Sequence, residues 1–122
     1  IEFGKKVEEH KSKLVSLLKK LKSEGKRIVG YGAAAKGNTL LNYCDIGTDV
    51  LDYIVDKSPA KQGLYTPGTH IPVYPPEKLL DDRPDYVLIL AWNFAKEIME
   101  QQKWYKESGG NFIIPIPDTQ IV

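Results

Sequence analysis

Gly30, Gly32 and Gly37 follow a G-x-G-x-x-x-x-G spacing within Arg27-Ile28-Val29-Gly30-Tyr31-Gly32-Ala33-Ala34-Ala35-Lys36-Gly37-Asn38. Glycines let a backbone approach an anion closely, and a helix N-terminus turns its free N–H groups toward one. The chemistry this offers is the binding of a phosphate or nucleotide. The spacing is slightly longer than the dinucleotide fingerprint, and the same residues can also serve only to turn the chain. Lys36 is placed either to meet a phosphate or to stand in solvent. Asn38 is placed to cap a helix or to bind.

Asp56 closes the next apolar run, Leu51-Asp52-Tyr53-Ile54-Val55. In dinucleotide folds an acid at this point accepts hydrogen bonds from ribose hydroxyls, whereas an ordinary turn aspartate bonds its own backbone. A third apolar run, Tyr86-Val87-Leu88-Ile89-Leu90, leads into Ala91-Trp92-Asn93. Ligands of open parallel sheets lie beyond the carboxyl ends of the strands. Trp92 can therefore stack on a base or sugar, and Asn93 can bind ligand or cap the following helix. Tyr65, His70 and Tyr74 lie in a long middle segment, and long loops are often functional. The two histidines, His10 and His70, are far apart in sequence. No nucleophile–base pair and no metal-ligand spacing is present. These groups bind rather than react, so neither a catalytic residue nor a bound cofactor or metal is expected in this domain.

The elements that position these residues alternate. Residues 5–22 carry Val7, Leu14, Leu17, Leu18 and Leu21 at helical spacing, and Gly25 ends that helix. Its lysines are interspersed with glutamates, the pattern of a solvated face. Strands are expected at 28–31, 51–55, 86–90 and 111–114. Helices are expected at 38–44, with Leu40, Leu41 and Cys44 toward the sheet, at 77–80, and at 94–106, with Ile98, Met99 and Trp104 in the core. Residues 57–76 read as a proline-rich loop interrupted by Ile71-Pro72-Val73. Alternating strands and helices imply right-handed βαβ units. The expectation is an α/β fold: one small Rossmann-like domain over residues 1–122, with a parallel sheet of four or five strands and helices on both faces.

Composition excludes several classes. Seventeen Lys and Arg against sixteen Asp and Glu leave a net charge of +1, no electrostatic footprint for nucleic acid. The single cysteine, Cys44, rules out an internal disulfide and a cysteine-held metal cluster, and fits a reducing, cytoplasmic compartment. No apolar run approaches the ~20 residues that span a bilayer, and no signal peptide is visible. The chain starts at Ile1 rather than Met, so it is expected to be part of a longer protein.

Three segments in this order resemble a known family. They are Gly30-Tyr31-Gly32-Ala33-Ala34-Ala35-Lys36-Gly37-Asn38-Thr39; Tyr53-Ile54-Val55-Asp56-Lys57-Ser58-Pro59 with Gly63 and Pro67-Gly68-Thr69-His70-Ile71-Pro72-Val73; and Ala91-Trp92-Asn93. The chain looks like the C-terminal domain of the sugar C-methyltransferases, S-adenosylmethionine-dependent enzymes that methylate nucleotide-linked keto-sugars on carbon. The resemblance implies upstream zinc-binding and methyltransferase domains that hold zinc and S-adenosylmethionine. It also implies that this domain helps to bind a dTDP-type nucleotide-sugar through Gly30, Gly32, Lys36, Gly37, Asn38, Asp56, Trp92 and Asn93, without catalysing alone. The residues by themselves equally permit a free-standing NAD- or CoA-type nucleotide-binding domain, or a structural module whose site has lapsed.

Overall fold

The computed structural model describes residues 2–33, 35–66, 68–115 and 119–122, with side chains for all of these except 2–10, 35 and 36. In chain order the elements are α1 (Glu2–Ser23), β1 (Ile28–Tyr31), α2 (Ala35–Tyr43), β2 (Leu51–Val55), β3 (Val73–Tyr74), α3 (Lys78–Asp82) and β4 (Tyr86–Ile89). A 3-10 turn (Trp92–Phe94), α4 (Ala95–Gln101), α5 (Lys103–Glu107), β5 (Asn111–Ile114) and β6 (Gln120–Ile121) follow. The strands form one sheet in the order β3-β2-β1-β4-β5-β6.

All neighbours pair in parallel except β5 and β6, which are antiparallel. The sheet thus has six strands rather than four or five. The additions, β3 and β6, are two residues each, too short to carry a period of two.

The central strands alternate between two cores, which is why they read as continuous apolar runs. Ile28, Leu51, Ile54, Leu88, Leu90 and Ile113 face Leu14, Leu18 and Leu21 of α1 and Leu41 of α2. Val29, Tyr31, Tyr53, Val55, Val87, Ile89 and Phe112 face Leu79 of α3, Ile98 of α4 and Tyr105 of α5. Helices therefore cover both faces. Leu17, Leu40, Met99 and Trp104 are only partly buried; the side chain of Val7 lies outside those described.

The helix expected at 94–106 is broken. Gln102 leaves helical geometry at φ −107, ψ 31, and its buried side chain bridges two partners: Nε2 donates to the Tyr31 hydroxyl at 3.2 Å and Oε1 accepts from Trp104 Nε1 at 2.9 Å. The middle segment is not an open loop either. Gly63 N–H donates to Val73 O, Val73 N–H to Leu64 O and Thr66 N–H to Ile71 O, and Tyr65 bridges Pro72 in antiparallel fashion. This makes a tight hairpin, with the Thr66 and Thr69 hydroxyls bonded to each other.

At the amino-terminal edge of the sheet, Arg27 binds Asp82 through two bonds of 2.6 Å and reaches Asp52 at 3.3 Å. Its own N–H donates to Asp85 Oδ2. Tyr53 donates its hydroxyl proton to Asp82 at 2.8 Å. The Arg27 hydrogen bonds hold the Asp82 carboxyl below the usual carboxylate range, with the Tyr53 bond adding to them against some burial. Burial, then the bond to Asp82, pushes the Tyr53 phenol up.

Candidate functional site

The chain leaves β1 for β2 and β3 on one side, and β4 to β6 lie on the other. The crevice at the carboxyl ends of β1 and β4 is therefore the topological switch point, the ligand position of open α/β sheets. The glycine turn sits there. Gly32 N–H donates to Val55 O at 2.8 Å, and Leu90 N–H donates to Tyr31 O at 2.9 Å, so the turn is tied to both flanking strands.

Packing accounts for all three glycines. A Cβ on Gly30 would lie 2.9 Å from both Ile54 Cγ1 and Leu90 Cδ1. On Gly37 it would lie 2.7 Å from Leu90 Cβ and 3.0 Å from Leu90 O, so Gly37 sets the close approach of α2 to the end of β4. Gly32 has φ +100, and its Cβ would meet that of Ala91 at 2.8 Å. The Gly32 and Ala33 N–H groups are taken by Val55 O and Asp56 Oδ2, so what this corner can offer a ligand is the N–H groups of the first turn of α2 and the side chains brought to it.

Asp56 is among those side chains, but it does not stand free as a ribose acceptor. Its Oδ2 accepts the N–H of Ala33 at 2.7 Å and its Oδ1 that of Ser58 at 2.8 Å. The second bond is the local turn contact an aspartate makes with its own backbone; the first staples β2 to the glycine turn. Lys61 Nζ donates to the Ala33 carbonyl at 2.8 Å, and Gln62 Nε2 to the Asp56 carbonyl at 2.8 Å. The segment after β2 is thus folded onto the turn.

Asn38 lies in the first half of α2, inside the helix and not at its cap. Its Oδ1 is buried and is the buried side-chain polar atom without a hydrogen-bond partner among the described residues. Lys36 belongs to the first turn of the same helix, and its side chain lies outside those described. Trp92 and Asn93 begin the 3-10 turn beyond β4. The cap position of α4 falls to Phe94, with no side-chain cap bond, so the capping role expected of Asn93 is corrected. The chain turns once in 3-10 form before α4 starts, which moves the cap one residue on.

A cavity of about 330 Å³ opens at the switch point, lined by Tyr31, Gly32, Asp56, Phe94, Glu97 and Gln101 among others. It brings together only Gly32 and Asp56 of the residues singled out from sequence. Phe94, Glu97, Ile98 and Gln101 follow an i, i+3, i+4, i+7 stripe, a signal of one shared face that was open to a sequence reading. Phe94 is 61% exposed. Tyr31 is buried, which raises its phenol pKa, and the charges of Asp56 and Glu77 raise it further. A second cavity, about 420 Å³, lies between α1 and the residues ahead of β2, toward the opposite end of the sheet. His70 is exposed, with φ 54. Among the described residues no cluster of His, Cys, Asp or Glu could hold a metal ion, and no helix is long and apolar enough to cross a membrane.

Residues 1–117 match a family described as the C-methyltransferase C-terminal domain. The chain is also similar to the C-methyltransferase NovU of Streptomyces niveus, at 38% identity over 121 residues, 99% of this chain. It spans 29% of that relative's length.

Proposed function

The chain belongs to the C-methyltransferase C-terminal domain family, and on that premise we propose that residues 1–122 form one domain of a longer cytoplasmic, S-adenosylmethionine-dependent C-methyltransferase of deoxysugar biosynthesis. In this reading the domain holds the nucleotide part of a dTDP-type keto-sugar against the rest of the protein and is inactive alone. The observation that carries it is the orphaned Asn38 Oδ1 in the first half of α2, one residue past Gly37. A buried acceptor without a partner costs ~1–3 kcal/mol, and a ligand hydroxyl or N–H would remove that cost.

In this reading the residues divide the labour. The start of α2, with Lys36, receives the pyrophosphate, since a helix N-terminus favours an anion, and Gly32 lets the chain turn beside it. Gly30 and Gly37 let strand and helix close up behind it. Asp56 holds the turn, Asn38 accepts from the ligand, and Trp92 and Asn93 approach it from the end of β4. Zinc, which the family resemblance implies, does not fit this chain's donors, because Cys44 is its one cysteine and is buried. We assign zinc and S-adenosylmethionine to the remainder of the longer protein, and no step of methyl transfer to residues of this domain.

Calorimetric titration of the full-length protein with a dTDP-sugar, NAD and S-adenosylmethionine tests the reading. The dTDP-sugar and S-adenosylmethionine should both bind. Lys36→Ala should weaken the dTDP-sugar ten- to hundredfold, about 1.5–3 kcal/mol for a charge-assisted bond, and leave S-adenosylmethionine unchanged. Saturable binding of NAD alone would sink it.

A further inference from the structure

The two backbone groups of Ala33 are held by opposite charges from the segment after β2. The Asp56 carboxylate takes its N–H and the Lys61 ammonium takes the residue's carbonyl. Lys61 is half-buried, and among the described residues it meets no carboxylate within ion-pair distance. An ammonium carries three N–H donors. One is used on Ala33, which leaves, among the described residues, two donors and a positive charge outside any ion pair at the glycine turn. A lysine that only had to brace a carbonyl would need no charge, since a neutral amide donor such as the neighbouring Gln62 does the same for the Asp56 carbonyl.

We propose that Lys61, seated on the Ala33 carbonyl, contacts the phosphate oxygens of the ligand bound at the glycine turn, with Asp56 as the positioning residue that fixes the turn beneath it. This rests on the nucleotide-sugar reading above and names a cation for that site. It also assigns the middle segment a purpose: the hairpin from Gly63 to Val73 anchors the short stretch that carries Lys61 and Gln62 over the turn.

The test separates charge from bracing. In the full-length protein, Lys61→Gln keeps a donor for the Ala33 carbonyl and loses the charge, while Lys61→Arg keeps both. Titrations with dTDP, inorganic pyrophosphate and S-adenosylmethionine are run on wild type and both variants, alongside thermal melts. Lys61→Gln should weaken dTDP and pyrophosphate at least tenfold with a shallower salt dependence, Lys61→Arg should recover most of the affinity, and S-adenosylmethionine should bind all three proteins alike. If Lys61→Gln binds dTDP as tightly as wild type, the lysine only braces the turn and the inference falls alone. If wild type binds neither dTDP nor pyrophosphate, the nucleotide reading falls and the inference with it.

Discussion

The Asp56 carboxylate accepts the Ala33 N–H at 2.7 Å across the gap between the end of β2 and the glycine turn. The turn's shape is therefore set by the protein before any ligand arrives. With the Ser58 N–H on its other oxygen, Asp56 satisfies two backbone donors at once.

Asp56→Ala should leave both donors unpaired and destabilise the protein by about 1–3 kcal/mol per group that stays dry. Asp56→Asn, whose amide oxygen still accepts one bond, should cost less. Denaturant melts of the two variants check this order, and equal stability in both would remove the staple.

Gly37→Ala separates packing from propensity. In a free helix alanine is favoured over glycine by about 1 kcal/mol. Here the new methyl would lie 2.7 Å from Leu90 Cβ and 3.0 Å from Leu90 O, and overpacking of this kind costs about 1–3 kcal/mol. The variant should melt lower than wild type; a stabilised Gly37→Ala protein would show that α2 does not approach β4 as described.

The strand centres were legible because parallel strands between two helical layers bury both faces: β1, β2 and β5 start and stop where their apolar runs do. The rest depended on contacts that sequence does not display. Gln102 breaks its helix because its amide serves Tyr31, distant in sequence. β6 exists because Ile121 and Gln120 come back alongside β5. In the site, the glycine turn was visible, but Lys61 was not, since its partner is a backbone carbonyl that any residue would supply. Phe94 shares a helical stripe with Glu97 and Gln101 and lines the cavity with them, whereas the more conspicuous Trp92 does not.

Gln102→Leu should cost about 1–3 kcal/mol by stranding the Trp104 indole N–H, and should shift the tryptophan emission. Tyr31→Phe, which keeps the ring and drops only one end of the bridge, should cost less. Chemical denaturation followed by fluorescence reports both effects, and an unchanged Gln102→Leu midpoint would contradict the bridge.

Asp82 makes stability depend on acid. Its folded-state pKa is lowered by Arg27, so its contribution is fully present above the unfolded carboxyl value of about 3.9 and is lost as pH falls through the lower folded value. Arg27→Met removes the lowering. The variant should be less stable near neutral pH, by about 1 kcal/mol given how exposed the guanidinium is, and should lose less on acidification. Urea midpoints from pH 7 down to the acid limit of folding measure it; parallel curves for the two proteins would mean that Arg27 does not hold Asp82.

In the proposed function, the nucleotide end of a nucleotide-sugar lies against the glycine turn and the start of α2. A crystal structure of the full-length protein with a dTDP-sugar tests this most directly. Diphosphate oxygens should lie within about 3.2 Å of the backbone N–H groups at the start of α2, with a ligand donor on Asn38 Oδ1. A diphosphate held elsewhere, with Asn38 Oδ1 still unpartnered, would contradict it.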